Sequence, residues 1–401
     1  METTTYKISD IGEVVGGGTP STANSDFWGG DIPWISPKDL TGYKSVYISH
    51  GESFLTKTGL KSGTKLLPKG TVLFSSRAPI GYVAIASNPI CTNQGFKSII
   101  CNKEIINPLF LYYYIKGNLD YIKLFGTGAT FPEISGAAMR KIKVQIPTLP
   151  TQQKIASILS SYDRLIENNT RRIRLLEQMA ENLYKEWFVR FRFPEHENIE
   201  MVNGLPKGWK RTKLIKNIKT SSGGTPSRNK GEYYKNGTIP WIKTGELQDC
   251  ILINTEECIT EDAVSNSSAK LFPKGTLLMA MYGVNVGKLG ISEIEATCNQ
   301  ACCVFTPKHI DYKYYIFHYL KSIREYLLSI SFGAAQQNLS QELIKSIRVL
   351  FPDEKTNISF IKEVEPLFKE ISIIQQQNQL LTHQRDLLLP RLMSGKLEVK
   401  S

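Results

Sequence analysis

Two periods of hydrophobicity alternate along this chain. From Ile155 the apolar positions step by four and three: Ile155, Leu159, Tyr162, Ile166, then Asn169, then Ile173, Leu176, Ala180, Leu183 and Trp187. That spacing predicts a long helix with a heptad seam, built to pack along a partner helix. The seam returns 205 residues later as Phe360, Val364, Leu367, Ile371, Ile374, then Asn378, then Leu381, Arg385, Leu388 and Leu392, with Arg385 its one charged member. Each helix is expected to be roughly 48 Å long at ~1.5 Å per residue. Pro366 is expected to kink the second helix or trim its first turns, and Pro390 to distort its last turn.

Ahead of each helix the pattern is shorter and more broken. Apolar runs of a few residues alternate with Gly, Asn and Ser, and Pro-Lys-Gly followed by Thr and apolar residues reads as a turn into a strand. Only Leu109–Tyr121 and Tyr314–Leu327 there have helical spacing, both rich in aromatics. Each stretch reads as a mixed, β-rich α/β module of roughly 150 residues with long surface loops.

The two modules are copies. Gly17-Gly18-Thr19-Pro20-Ser21 and then Ile32-Pro33-Trp34-Ile35 recur as Gly223-Gly224-Thr225-Pro226-Ser227 and Ile239-Pro240-Trp241-Ile242. In the same order, Leu66–Ser76 echoes Leu271–Met281, Asn93-Gln94 echoes Asn299-Gln300, Gly128-Ala129 echoes Gly333-Ala334, and Lys141–Pro147 echoes Ser346–Pro352. The period is far too long for a solenoid, so this is an internal duplication. The expected organisation is a first module over 1–150, a helical region over 151–195, a second module over 196–355 and a second helical region over 356–401.

The seam asparagines suggest how the helices pair. Asn169 is the fifth of ten layers and Asn378 the sixth of ten. A buried Asn fixes register when its amide finds a partner. Only an antiparallel pair sets these two opposite each other; otherwise each is a locally solvated break. An antiparallel rod places two modules at its ends about an approximate two-fold axis. That arrangement suits duplex DNA, whose groove face repeats about every 34–36 Å.

Composition narrows the partner. The 401 residues carry a formal charge of +12, so an anion is expected: nucleic acid first, an acidic membrane surface or protein second. No secretory leader is read at the start and no apolar run approaches the roughly 18–20 residues of a membrane span, so no membrane partner is expected. The seven cysteines include no CxxC pair. They read as reduced thiols of a cytosolic, cytoplasmic protein, with no metal expected.

Signals for catalysis do not hold together. "NPLF" (Asn107 to Phe110) lacks the second proline of an amino-methyltransferase motif and reads as a helix start. "LFGTGA" (Leu124 to Ala129) has its glycines one place off a cofactor loop, and "GVNVGKLG" (Gly283 to Gly290) is not a phosphate-binding P-loop. "PDEK" (Pro352 to Lys355) is too compressed to spread carboxylates around a metal. No catalytic residue and no cofactor are expected. The alternatives are a DNA methyltransferase carrying its own recognition domain, or a scaffold whose modules bind protein and not DNA.

The chain resembles the specificity subunit of type I restriction–modification systems over essentially its full length. The resemblance rests on the two "GGTPS…IPWI" phrases, "LPKGW" (Leu205 to Trp209), "LYKEWFVRF" (Leu183 to Phe191) and "QRDLLLPRLMSGKLEV" (Gln384 to Val399). It implies two target-recognition domains separated by two long helices in an antiparallel coiled coil, pseudo-two-fold symmetric, and a non-catalytic role in DNA methylation and restriction. It further implies partners: double-stranded DNA read as two half-sites with the helices as ruler, two adenine methyltransferase subunits docked on the helices, and motor–nuclease subunits in the full complex.

Sequence reading needs donors at base edges, and affinity needs cations at phosphates. Arg77, between a strand and a Pro-Ile-Gly turn, suits guanine O6/N7, or else a phosphate or a structural ion pair. The matching loop of the second module offers Tyr282, Asn285 and Lys288, as two readers of different sequences should. Asn93, Gln94, Asn299 and Gln300 carry amides that suit adenine, or else hold structure or phosphate. Lys38 and Lys243, after the Pro-Trp strand, are phosphate candidates; Thr130, Gln336 and Gln337 are loop candidates. Trp34 and Trp241 read as core. Arg171, Arg172 and Arg174 suit the phosphates of the gap or a solvated face.

Overall fold

The computed structural model describes residues 2–128, 130, 132–330 and 338–399. They form two compact units: Met1–Asn168 with Asn378–Ser401, and Asn169–Gln377. Unit one is therefore built from both ends of the described chain.

A five-stranded sheet organises unit one, in the order Gly12–Gly16, Lys97–Cys101, Val72–Phe74, Val83–Ala86, Tyr47–Ile48. Neighbours are antiparallel except the last pair, which is parallel. A second sheet sets the Pro-Trp strand Trp28–Ile35 between Ser53–Leu55 and Cys91–Thr92. Thr4–Lys7 pairs with Lys143–Ile146, the strand that leads into the first long helix. Unit two repeats this plan. Its five strands run Ile218–Ser222, Cys302–Pro307, Leu277–Ala280, Leu289–Ser292, Cys250–Leu252, and its Pro-Trp strand Ile239–Ile242 lies between Cys258–Ile259 and Thr297–Cys298.

Both faces of each five-stranded sheet are buried, and the two-residue period of a strand divides its side chains between two cores. Val72 and Phe74 enter the core beneath the helices, and Leu73 the core on the opposite face. Leu277 and Met279 divide from Leu278 and Ala280 in the same way. The aromatic helices cover the first of these faces. Pro108–Gly117 starts on Asn107, whose side chain accepts from the N–H groups of Leu109 and Phe110 at 2.9 and 3.1 Å. Its counterpart is Lys313–Ser322.

The first long helix spans Leu149–Tyr184 and closes in a wider turn, Lys185–Val189. The second spans Glu354–Met393. All twenty seam positions are buried or half-buried, as the heptad pattern requires. In unit two the helices run antiparallel: Arg172 pairs with Glu370 at 2.8 Å, and Trp187 packs on Phe360 with ring centroids 5.7 Å apart. In unit one Ile155 and Leu159 share a core with Leu388 and Leu392. Neither Pro366 nor Pro390 interrupts the second helix. The expected trimming at Pro366 is thus corrected: Pro366 and Lys362, whose carbonyl loses its donor, are both exposed, so water can take up the free carbonyl.

Arg385, the charged member of the seam, is held by a network within unit one. Its guanidinium donates to Asp163 of the first helix at 2.5 Å and to Asp386 at 2.8 Å. The hydroxyl of Tyr113, on the aromatic helix, donates to the other oxygen of Asp163. Three helices thus meet on one largely buried carboxylate. Asp163→Ala leaves the largely buried guanidinium with only Asp386 of its own helix and is expected to cost about 3 kcal/mol. Asp163→Leu with Arg385→Met should recover most of that loss, as read from the melting temperature of the purified chain.

Candidate nucleic-acid interface

The repeated phrase turns out to be a joint. Gly18 donates its N–H to the Thr92 carbonyl at 2.8 Å, and Gly224 does the same to Cys298 at 2.9 Å. The backbones come so close that a Cβ on Gly18 would lie 1.9 Å from the Gly63 carbonyl oxygen, and one on Gly223 1.9 Å from that of Cys298. Each Pro-Trp strand then locks onto the joint through its indole. Trp34 Nε1 donates to the Gly18 carbonyl at 2.9 Å, and Trp241 Nε1 to that of Gly224 at 3.0 Å. Both tryptophans are buried, as expected of core residues.

The same joint accounts for the Asn-Gln pairs. The Thr19 hydroxyl donates to the Gln94 side-chain carbonyl, and Thr225 to Gln300, each across 75 residues. The Asn93 side chain accepts from the Gly95 N–H at 2.8 Å, and that of Asn299 from Ala301 at 3.2 Å. All four side chains therefore have matching internal partners in both units. The Thr–Gln contact was not anticipated; its signal was the identical 75-residue spacing in the two copies.

The loops that differ between the copies rise from this frame. In unit one, Ser76 donates its N–H to the Gly95 carbonyl at 2.7 Å, which places Arg77 beside the Asn-Gln turn. Arg77 pairs with Glu133 at 3.1 Å and stays partly exposed, while Lys97 reaches the same carboxylate at 3.3 Å and the Gln94 carbonyl at 3.2 Å. A guanidinium carries five N–H donors in a fork, so this pair aims the group without exhausting it. Glu133 and Lys97 were missed in the sequence because neither belongs to a repeated motif.

In unit two, Met281 donates its N–H to the Ala301 carbonyl at 2.8 Å, and the loop beyond it takes a different shape. The Asn285 amide donates to the carbonyls of Thr244 and Gly245, both at 3.0 Å. Lys288 pairs with Asp249 at 3.2 Å. Asp249 also accepts from Arg324, and despite the opposing effect of burial these cations hold its carboxyl below the usual range. The tip is left with Tyr282, partly exposed, and Val284, fully exposed.

Lys38 pairs with Glu52 at 2.9 Å, and Lys243 with Glu256 at 3.1 Å. Exposed pairs of this kind are worth about 0.2–1 kcal/mol, so a phosphate can displace the carboxylate at little cost. Thr130 is exposed. Gln336 and Gln337 lie outside the described residues. Arg171, Arg172 and Arg174 are exposed on the first helix.

The chemistry elsewhere is quiet. All seven cysteines are free thiols, and burial pushes Cys303 up to about 12. Among the described residues no group of three or more His, Cys, Asp or Glu is placed to hold a metal ion, and no helix is long and apolar enough to cross a membrane.

Comparison with known proteins gives a consistent result. Residues 1–178 and 206–383 each match the model of the type I restriction modification DNA specificity domain. The chain is 36% identical to the type I restriction enzyme MjaIX specificity subunit of Methanocaldococcus jannaschii, across 98% of this chain and 93% of that one. It is 25% identical to the HindI specificity subunit of Haemophilus influenzae, across 83% and 88%. A crystal structure of the type I restriction–modification S subunit from M. genitalium has the same fold, with a TM-score of 0.64, 17% identity, and coverage of 98% and 96%.

If the glycine pairs are needed for close approach, Gly18→Ala should lower the melting temperature of the purified chain, with overpacking costing about 1–3 kcal/mol. Gly29→Ala, whose added Cβ meets no atom within 4 Å, is the control for backbone strain at positive φ alone.

Proposed function

The chain belongs to the type I restriction–modification DNA specificity family, and on that premise we propose that each unit reads one half of a bipartite, asymmetric DNA site while the long helices set the gap. It is the DNA-recognition subunit of such a system and is not itself catalytic. The observation that carries the reading is one frame built twice with unlike loops upon it. A scaffold for a symmetric site needs no such divergence; a reader of two different half-sites does.

In this reading Arg77 is aimed by Glu133 at a base edge, with guanine O6/N7 the natural match, and Lys97 supports it. In the other half Tyr282 and Val284 contact the groove, the valine suiting a thymine methyl. Asn285 and Lys288 shape that loop. The Asn-Gln pairs, Lys38, Lys243, Thr130, Gln336 and Gln337 serve the frame or the phosphates. Asn169 and Asn378 serve the helix register. The subunit works in the cytoplasm with methyltransferase and motor–nuclease subunits, binding two of the former along its helices.

Two measurements test this, both by sequencing methylated adenines in cells that carry the subunit with its partners. Arg77→Ala is expected to cost about 1–3 kcal/mol and to relax one position of one half-site; equal weakening on all sequences would make Arg77 a phosphate contact. Removing one heptad from each long helix should shorten the gap by about three base pairs, given ~1.5 Å per helical residue and about 34 Å per ten base pairs. Altered half-sites with an unchanged gap would overturn the ruler.

A further inference from the structure

The charged network of unit one has no equivalent in unit two, and a cavity stands where it would be. The offset of 205 residues that superimposes the two seams also aligns the aromatic helices. At that offset Tyr113 corresponds to His318 and Asp163 to Phe368, while Arg385 of the second helix corresponds to Ala180 of the first. The duplication has thus replaced a hydroxyl, a carboxylate and a guanidinium by an imidazole, a phenyl ring and a methyl group.

The space left behind is a cavity of about 250 Å3 within unit two, lined among others by Glu177, Ala180, Asp249, His318, Lys321 and Phe368. His318 is 3% exposed, and neither of its ring nitrogens has a hydrogen-bond partner. Burial lowers its pKa to about 3, so the ring is neutral, with one nitrogen a donor and the other an acceptor. A buried polar group without a partner is costly, and an unfilled one in a polar cavity points to an occupant.

The charges around the cavity are unequally satisfied. Asp249 is taken by Arg324 and Lys288, and Lys321 by Glu181 at 2.9 Å. Glu177 makes no ion pair or hydrogen bond among the described residues; burial raises its carboxyl above the usual range and outweighs the opposing pull of Lys321 and Arg174, which lie too far off to pair with it. The charge left over is one carboxylate, beside an imidazole acceptor and the phenyl ring of Phe368, which lies 6.0 Å from His318 centroid to centroid. A planar cation with several N–H donors satisfies all three: it pairs with a carboxylate, donates to a ring nitrogen and stacks on an aromatic face. In unit one that place is filled from within by such a group.

We propose that the cavity binds a guanidinium group from outside unit two, which pairs with Glu177 and donates to the acceptor nitrogen of His318. Its source is an arginine side chain of a partner subunit or a free small guanidine. Water is the competing occupant, since a polar cavity of this size admits several molecules. The inference does not depend on DNA reading, and its test involves no DNA, so the two can fail separately.

The experiment is a titration of the full chain with methylguanidinium, followed by the ring NMR signals of His318 in histidine-labelled protein and assigned with His318→Gln. Methylammonium, with the same charge but no planar fork, is the control. A saturable shift at low millimolar methylguanidinium, at least fivefold tighter than with methylammonium, is expected. Glu177→Gln should weaken binding at least fivefold. Ala180→Arg should restore an internal arginine, abolish the response and raise the melting temperature. Adding the methyltransferase subunits distinguishes the sources. A shifted His318 signal that no longer answers methylguanidinium indicates a partner arginine; an unchanged response indicates a free guanidine. No saturable shift, an equal response to methylammonium, or binding unaffected by both Glu177→Gln and Ala180→Arg would leave water as the occupant and overturn the proposal.

Discussion

The hydrophobic seam between the two long helices is the constraint on which both units depend. The large core of unit one takes Ile155 and Leu159 from the first helix and Leu392 from the second; that of unit two takes Ala180 from the first and Phe360, Val364 and Ile371 from the second. Each core takes residues from both long helices. Arg385 marks the limit of what the seam tolerates: a cation there is costly unless a carboxylate on the other helix compensates it, and Asp163 does so.

Above the seam, each unit separates what must stay fixed from what is free to vary. The fixed part is held by main-chain carbonyls, an indole N–H group and a Thr–Gln contact, none of which depends on the sequence of the loop it supports. The variable part begins one residue beyond a hydrogen bond shared by both units, from Ser76 to Gly95 and from Met281 to Ala301. An arginine held by an acidic neighbour in one unit and a tyrosine–valine tip in the other are different chemistries on one mount.

Much of this was legible in the sequence because it is periodic or repeated. The heptad steps revealed the helices and their seam, and the duplicated phrases revealed two modules. What escaped notice joins residues far apart without repetition. Glu133 lies 56 residues from the arginine it holds, and Asp163 lies 222 residues from Arg385. The trimming expected at Pro366 failed for a related reason. Local propensity says that proline ends a helix, but an exposed carbonyl lets water replace the lost bond while the buried face carries the helix on. Arg385 looked like a flaw in the seam until Asp163 of the first helix and Asp386 of its own were placed beside it.

The discontinuity of unit one bears on how the protein is made. Its globular part and the start of the first helix are complete at Asn168, yet the part of the second helix that belongs to the same unit starts only at Asn378. A ribosome adding about 5–20 residues per second needs roughly ten to forty seconds to cross that interval. Throughout it, the core around Ile155 and Leu159 lacks the contacts of Leu388 and Leu392, whereas unit two, contiguous from Asn169 to Gln377, has all its residues as soon as it emerges. The half translated first is thus the half that finishes last, and the nascent chain passes through a stage in which its second reader is built while its first still exposes the surface meant for the final helix.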